Sequence, residues 1–180
     1  MKKLIFLLFG IILLNACSCF KEKEKEKNYK LAQTIVWKNE NTIGTESYKI
    51  LPNSKIVYKK DNIGIGYYNI IPGDKTVFIY TLDEKPVDTT LRDAGYKEEV
   101  LFEVDGKLKK MELSDKELEK VNLLVGVHGY FRKSGVYKVK KGRLKIDKFD
   151  KKHWLLDIQI EDPTYRVHKK NIKLKIPIIK

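Results

Sequence analysis

The length and composition of the chain set its broad class. The chain has 180 residues, of which 42 % are hydrophobic and 11 % aromatic, and it carries 37 Lys plus Arg against 24 Asp plus Glu, a formal net charge of +13. This length fits one domain or two small ones, and the apolar content is sufficient for a packed core. These values exclude a disordered polyelectrolyte and a collagen-like chain, and the two cysteines are too few for a disulfide-rich miniprotein.

The N-terminal residues have the pattern of an export signal. Residues 1–3 include two lysines, and an uncharged apolar run follows over residues 4–14. This run is too short to cross a bilayer of about 30 Å as a helix. Residues 1–16 are therefore predicted to be a signal peptide.

The residues at the end of this signal, Leu14-Asn15-Ala16-Cys17, resemble the lipobox of bacterial lipoprotein precursors. The resemblance implies cleavage before Cys17, a diacylglycerol on its sulfur and an acyl chain on the new amino group. It also implies an exported protein, anchored to a bacterial membrane on the periplasmic side or at the cell surface. Two or three acyl chains give stable attachment. The alternative is an ordinary secretory signal that leaves Cys17 and Cys19 in the mature chain.

Residues 17–27 are predicted to form the lipidated end and a charged tether. Lys and Glu alternate from Lys21 to Lys27 with no apolar residue to bury. The tether is therefore predicted to be solvated and to lead into a single β-rich domain of residues 28–180.

Short segments rich in β-branched and aromatic residues predict strands from residue 28 onward. Candidate strands are residues 31–37, 46–51, 55–59, 64–71, 76–82, 100–104, 107–113 and 125–131. The dipeptide Asp105-Gly106 predicts a hairpin between two of them. The segment from Asp83 to Glu99 has no clear period and is predicted to be a long loop.

The last fifty residues show the clearest strand alternation. Apolar residues recur at every second position in residues 144–146, 154–160 and 172–178, with polar residues between them. This pattern predicts antiparallel strands with one solvated face. Pro177 cannot donate to a strand ladder, which predicts an edge strand or an amide position that points outward.

One short helix is predicted after residue 113. Ser114 and Glu117 have the spacing of a capping box, and Leu118 and Val121 follow at helical spacing. A single sheet with one large apolar face is not stable in water, so the strands must pack as two layers or close on themselves. We therefore predict an all-β fold, an antiparallel β-sandwich with one short helix. The alternative is a closed or partly open antiparallel β-barrel.

The net charge is concentrated in the C-terminal third of the chain. Residues 131–180 carry 16 Lys plus Arg and 5 Asp plus Glu, net +11. A basic face would attract anionic lipid, acidic polysaccharide or an acidic protein, whereas nucleic acid is not expected for an exported protein. The alternative is that lysines keep the outer faces soluble and protect exposed edges. The candidate anion-binding residues are Lys138, Lys140, Arg143, Lys145, Lys173 and Lys175.

The sequence carries no motif of a cofactor, metal or nucleophile site. His128, His153 and His168 lack metal-ligand spacing, and His128 is predicted to be a hydrogen-bonded structural residue. The segment Gly64–Gly66 lacks the third glycine of a dinucleotide site, which favours a bulge or close packing. Asp83, Asp88 and Asp93 do not match a calcium loop and are predicted to be solvated.

Together these patterns predict a membrane-anchored envelope lipoprotein with a binding or structural role and without catalysis. One alternative is an envelope hydrolase that uses loop carboxylates, and a buried cluster of Asp and Glu in a cleft would favour it. A second alternative is a lipocalin-like carrier, which requires an internal apolar cavity.

Overall fold

The computed structural model describes residues 35–40, 44–84, 95–129, 134–161 and 167–178. The predicted signal peptide, Cys17 and the charged tether lie outside these ranges. None of the helices in the described part of the chain has the length and apolar character needed to cross a membrane.

Antiparallel strands account for most of the described residues, as the sequence predicts. The strands are β1 (Ile35–Glu40), β2 (Gly44–Lys60), β3 (Gly66–Pro72), β4 (Lys75–Glu84), β5 (Tyr96–Asp105), β6 (Met111–Ser114), β7 (Leu124–Gly129), β8 (Gly135–Lys138), β9 (Gly142–Lys148), β10 (His153–Ile160) and β11 (Asn171–Pro177). In the described ranges, one 3-10 helix (Asp115–Val121) lies between β6 and β7. The prediction of an all-β fold with one short helix is confirmed.

The described strands form two antiparallel sheets. Sheet A has the order β1-β2-β4-β5-β7-β8, and β3 pairs with β2 outside this path. Sheet B has the order β11-β10-β9-β6, so the terminal strand is an edge, as Pro177 predicts.

A bend in β2 curls sheet A into a nearly closed barrel. Residues before Leu51 pair with β4, the register shifts between Leu51 and Ser54, and the following residues pair with β3. This bend brings β3 to the opposite edge of the sheet, where the Tyr58 hydroxyl donates a hydrogen bond of 3.3 Å to the Val136 carbonyl. Gly66 approaches the same carbonyl so closely that a Cβ there would lie 1.9 Å from it. The two strands predicted over residues 46–51 and 55–59 are therefore one bent strand.

Two hydrophobic cores lie on the two faces of sheet A. The main core lies between sheets A and B and includes Phe78, Phe102, Ile146 and Leu156. The second core lies inside the curl of sheet A and consists of the buried residues Ile56, Val77, Ile79, Leu101, Leu124 and Val136. The architecture thus combines the two predicted alternatives, because a barrel-like sheet packs against a second sheet.

The hairpin predicted at Asp105-Gly106 is wrong. β5 pairs with β4 and β7, whereas β6 pairs with β9 in sheet B, so this turn connects the two sheets. Gly106 has a φ of 62°, which suits glycine. β5 is buried on both faces and is hydrogen-bonded to β4 on one side and β7 on the other. It therefore has no free edge with which β6 could pair.

The predicted helix is present, but as a 3-10 helix with only half of the capping box. Among the described groups, the Ser114 hydroxyl makes no cap hydrogen bond. The Glu117 carboxylate accepts the Ser114 amide, and its pKa is lowered by the Lys120 ammonium and, to a smaller extent, by this amide. Leu118 and Val121 are buried, as their spacing predicts.

The loop predicted from Asp83 to Glu99 is wrong at its two ends. Asp83 belongs to β4 and pairs with Lys97 of β5, so both ends of the segment from Asp83 to Glu99 are in strands. Residues 85–94, including Asp88 and Asp93, lie outside the described residues.

Candidate functional site

Four of the six candidate anion-binding residues share the outer face of sheet B. Arg143 and Lys145 lie on β9, and Lys173 and Lys175 lie on β11, at positions that alternate with buried residues. The other two lie apart from this face. Lys138 ends β8 in sheet A with its Nζ 5.6 Å from the centroid of the Tyr58 ring, and Lys140 is exposed between β8 and β9.

Carboxylates from other strands compensate much of this positive charge. The strand register aligns Glu112, Lys145, Asp157 and Lys173 in one row across sheet B. Lys145 Nζ lies 3.3 Å from the Glu112 carboxylate, and Lys173 Nζ lies 3.7 Å from Asp157. Arg143 lies 3.5 Å from Glu112 and 3.6 Å from Asp157. The centre of the outer face is therefore a network of alternating charges.

One end of sheet B has a clear excess of cations. We call it the basic tip, and it consists of Lys148, Phe149, Lys151, Lys152 and Lys175. The Phe149 side chain is 55 % exposed, and Lys175 Nζ lies 4.4 Å from the centroid of its ring. Lys148 at the end of β9 and Lys151 and Lys152 in the β9–β10 connection are exposed. An exposed aromatic ring beside an ammonium group, with three further exposed lysines next to it in the sequence, suits contact with an anionic surface or polymer.

Asp150 organises the backbone of the basic tip. Its carboxylate accepts the Lys152 amide at 2.7 Å, lies 2.8 Å from His153 Nδ1 and lies 3.3 Å from Lys175 Nζ. The Lys152 amide, aided by His153 and Lys175, lowers the pKa of Asp150 to about 2. This carboxylate is therefore ionised at neutral pH and fixes the position of Lys175.

Sheet A contains a buried acidic cluster that the sequence analysis did not predict. The register places Glu46 of β2, Leu82 of β4 and Glu98 of β5 in one row on the face of the main core, and Glu84 lies two residues further along β4. Glu98 is only 1 % exposed. It was missed because residues 83–99 were predicted to be loop.

The segment before β11 provides the donors that satisfy this cluster. The Glu98 carboxylate accepts the His168 amide, the Lys169 amide at 3.0 Å and the Tyr96 hydroxyl. The Lys169 ammonium donates to Glu46 at 2.8 Å. These contacts fasten the segment to sheet A.

The remaining groups of the cluster are also engaged. Glu46 accepts the Tyr80 hydroxyl at 2.8 Å, and burial together with this carboxylate raises the pKa of Tyr80. His168 Nδ1 contacts the Glu84 carboxylate. A buried cluster of carboxylates was the feature expected of an envelope hydrolase. Glu98 is buried and Glu46 and Glu84 are partly buried, but all three carboxylates are engaged by groups of the chain itself, as in a structural contact between two segments.

Two further buried glutamates lie inside the curl of sheet A. Glu103 accepts the Ile56 amide at 2.7 Å and the Lys75 ammonium at 2.9 Å. Ile56 lies beyond the last pairing of β2 with β4, so this carboxylate replaces the missing strand acceptor.

Glu99 has three partners on the same side of β5. The Tyr68 hydroxyl donates to it at 2.9 Å, Lys97 Nζ lies at 2.6 Å and His128 Nε2 at 3.3 Å. Burial opposes ionisation of Glu99, but these partners outweigh it and lower its pKa to about 2. The His128 ring lies beside this carboxylate, but its Nε2 makes no hydrogen bond within the described part of the chain, so the hydrogen bond predicted for His128 is not seen there.

The described residues give little support for the metal site, the dinucleotide site and the carrier cavity considered from the sequence. Among the described residues, no group of three or more His, Cys, Asp or Glu side chains could hold a metal ion. Gly66 packs closely against Val136, as predicted for the segment Gly64–Gly66. The interior of the curled sheet, where a carrier would hold its ligand, is filled by apolar side chains such as Ile79 and Leu101.

Comparisons with known proteins do not assign a family. No protein-family model matches the chain, and no curated protein or solved structure gives a significant match. The charged surfaces and the predicted N-terminal signal are therefore the features on which a functional proposal rests.

Proposed function

We propose that the protein is a lipoprotein of a bacterial envelope, anchored through Cys17, that binds an anionic envelope component without catalysis. The basic tip is the observation that carries the binding part of this proposal. The lipobox-like residues 14–17 carry the anchor. The charged tether of residues 18–27 would hold the domain away from the bilayer by at most about 35 Å.

The chemistry of the basic tip favours this proposal over a purely solubilising role for its lysines. A residue that serves only solubility has no reason to lie beside an exposed ring, yet Phe149 is held under Lys175. Asp150 supports this arrangement through contacts with the Lys152 amide, the His153 ring and the Lys175 ammonium. The tip therefore holds one ammonium group against the exposed ring before any ligand binds, which lowers the cost of binding.

The centre of the outer face of sheet B, where basic side chains pair with carboxylates, has a secondary role in this proposal. Exposed ion pairs contribute about 0–1 kcal/mol each, so an incoming anion can exchange with Glu112 or Asp157 at little cost. Arg143, Lys145 and Lys173 would then extend the contact that begins at the tip.

Charge reversal tests the binding proposal. The full chain, purified in neutral detergent, is applied to immobilised dextran sulfate, polygalacturonate and polyphosphate at low and physiological salt. We expect the triple change of Lys148, Lys151 and Lys152 to Glu to weaken binding by at least fivefold per lysine, since each basic residue near an anionic surface contributes about 1 kcal/mol. The preferred matrix names the anionic group.

A second triple variant separates this site from general charge. Lys107, Lys109 and Lys116 are exposed outside sheet B, and changing them to Glu alters the net charge equally. We expect this variant to bind as the unchanged chain does. Equal loss in both variants, or no loss in either, would reject the basic tip as a binding site.

The anchor is tested with a matched pair of cysteine variants. In a bacterial host, Cys17→Ser is expected to abolish incorporation of labelled palmitate and to release the protein from the membrane fraction. Cys19→Ser is expected to change neither property. Labelling that survives in Cys17→Ser would refute the proposed lipidation site.

A further inference from the structure

The β2–β3 hairpin exposes an apolar surface that neither core explains. Among the described residues, four of the five most exposed large apolar side chains lie between residues 63 and 71. We call these four, Ile63, Ile65, Tyr67 and Ile71, the apolar hairpin surface. Ile63 is the most exposed, at 80 %. Such a concentration of exposed apolar groups is typical of a contact site.

The turn that carries Ile63 and Ile65 is held in one conformation by hydrogen bonds. Asp61 Oδ1 accepts the Ile63 amide at 3.0 Å and the Ile65 amide at 2.8 Å. The Asp61 amide donates to the Ile65 carbonyl at 2.9 Å, and the Gly64 amide donates to the Asp61 carbonyl at 3.1 Å. The two isoleucines are therefore presented to solvent by a defined turn.

The strand beside this turn adds apolar groups on its outer side. Tyr67 and Ile71 alternate along β3 with Tyr68 and Ile70, which pack against the second core. The exposed side chains cannot turn inward without breaking this alternation. The surface is thus a fixed feature of the fold.

Exposed lysines border the apolar hairpin surface. The register places Lys55 opposite Ile71 and Lys59 opposite Tyr67, and Lys60 directly precedes the turn. Apolar groups flanked by lysines are the composition of elements that lie in the interface of an anionic bilayer, with the apolar groups among acyl chains and the ammonium groups near phosphates.

We propose that the β2–β3 hairpin is a membrane-contact element that inserts Ile63 and Ile65 into the surface of an anionic bilayer. Charge complementarity selects this occupant over a second copy of the chain. A two-fold contact through this surface would bring Lys55, Lys59 and Lys60 of both copies together. The contact is separate from the basic tip and does not depend on lipidation of Cys17.

The experiment follows an environment-sensitive fluorophore placed in the turn of the full chain. The label is attached at Asn62→Cys in two backgrounds, Cys19→Ser in the lipidated chain and Cys17→Ser with Cys19→Ser, so that no other free thiol takes up the label. Each protein is combined with vesicles of phosphatidylcholine alone or mixed with phosphatidylglycerol. With the mixed vesicles we expect a blue shift of the emission and quenching by spin-labelled acyl chains. The matched label replaces Asp105 at the end of β5, whose side chain is 86 % exposed, and the label at Asp105→Cys is expected to stay in water.

Two variants of the Asn62-labelled chain identify the groups responsible. The double change of Ile63 and Ile65 to Ser keeps the backbone hydrogen bonds of the turn. We expect it to lower the inserted fraction about tenfold or more, since each isoleucine loses most of its transfer free energy. Changing Lys55, Lys59 and Lys60 to Glu is expected to abolish the dependence on phosphatidylglycerol. Circular dichroism and thermal melting check that both variants fold.

The outcomes separate this proposal from that of the anchor. A label that remains accessible to aqueous iodide on protein that floats with the vesicles would overturn the hairpin contact and leave the anchor intact. A label that is shielded without vesicles, in protein that sediments as a dimer, would also overturn it and point to self-association. Loss of flotation of Cys17→Ser with vesicles of phosphatidylcholine alone, together with an inserted label with the mixed vesicles, would support both proposals.

Discussion

Replacing Glu98 by alanine tests whether the buried acidic cluster fastens the segment before β11 to sheet A. The carboxylate accepts the amides of His168 and Lys169 and the Tyr96 hydroxyl, and it is almost fully buried. Each buried donor left without a partner costs about 1–3 kcal/mol. Some relaxation and water entry reduce the sum, so we expect the variant to lose about 3–5 kcal/mol of unfolding free energy. For a chain of this size the melting temperature falls by about 2–4 °C per kcal/mol, or roughly 10 °C in total.

Urea unfolding followed by circular dichroism measures this loss, and hydrogen exchange of the His168 and Lys169 amides locates it. The control is Glu112→Ala, which removes an exposed partner of Arg143 and Lys145 and is expected to cost less than about 1 kcal/mol. A loss below 1 kcal/mol in the Glu98 variant, with both amides still protected, would refute this structural contact between the two segments.

Three further changes probe other parts of the fold. Glu99 has a pKa of about 2 in the folded chain, below the value of about 4.3 in an unfolded chain. Its ionised carboxylate therefore stabilises the fold above pH 4.3 by at most about 3 kcal/mol, and this advantage over Glu99→Gln is lost as the pH falls toward 2. Urea unfolding of both chains from pH 7 to pH 2.5 checks the sign, and a stability difference that does not change with pH would contradict it. Gly66→Ala places a Cβ against the Val136 carbonyl and is expected to cost about 1–3 kcal/mol or more, whereas Gly95→Ala, with open space around it, is expected to be neutral in the same melting assay. Leu118→Ala is expected to cost about 2–5 kcal/mol because the side chain is fully buried, and an unchanged melting temperature would show that the 3-10 helix does not seal the main core.

The part of the fold that the sequence predicts best is sheet B. Its strands have one face in the main core and one face in water, so the period of two is visible in residues such as Leu144, Ile146 and Leu156. In β4 and β5 both faces are buried, and no alternation remains. Glu98 and Glu99 therefore looked like loop residues. A glutamate directly beside a continuous apolar run, as in residues 98–102, can therefore predict a buried carboxylate that is hydrogen-bonded or ion-paired within the protein.

The candidate site was predictable only in part, because its charge balance depends on distant strands. The alternation of β9 and β11 is sufficient to place Arg143, Lys145 and Lys173 on the outer face. Glu112, the partner of Arg143 and Lys145, comes from β6, which was expected to pair with β5 in a hairpin. The bend of β2 was also hidden, because separate strands were predicted over residues 46–51 and 55–59, on either side of Pro52. In the structure this proline lies at the register shift, where a strand can lack an amide donor.

The position of β4 and β5 between two cores has a consequence for how the molecule unfolds. Each strand contributes side chains to both cores, for example Phe78 to the main core and Val77 to the core within the curl. Neither core can open while the other keeps its full packing, because they share the same backbone. The described domain is therefore expected to unfold in one cooperative transition, with calorimetric and van't Hoff enthalpies that agree. A destabilising substitution on either face of β4 or β5 is therefore expected to lower the unfolding free energy of the whole described domain, without an intermediate in which one core stays folded.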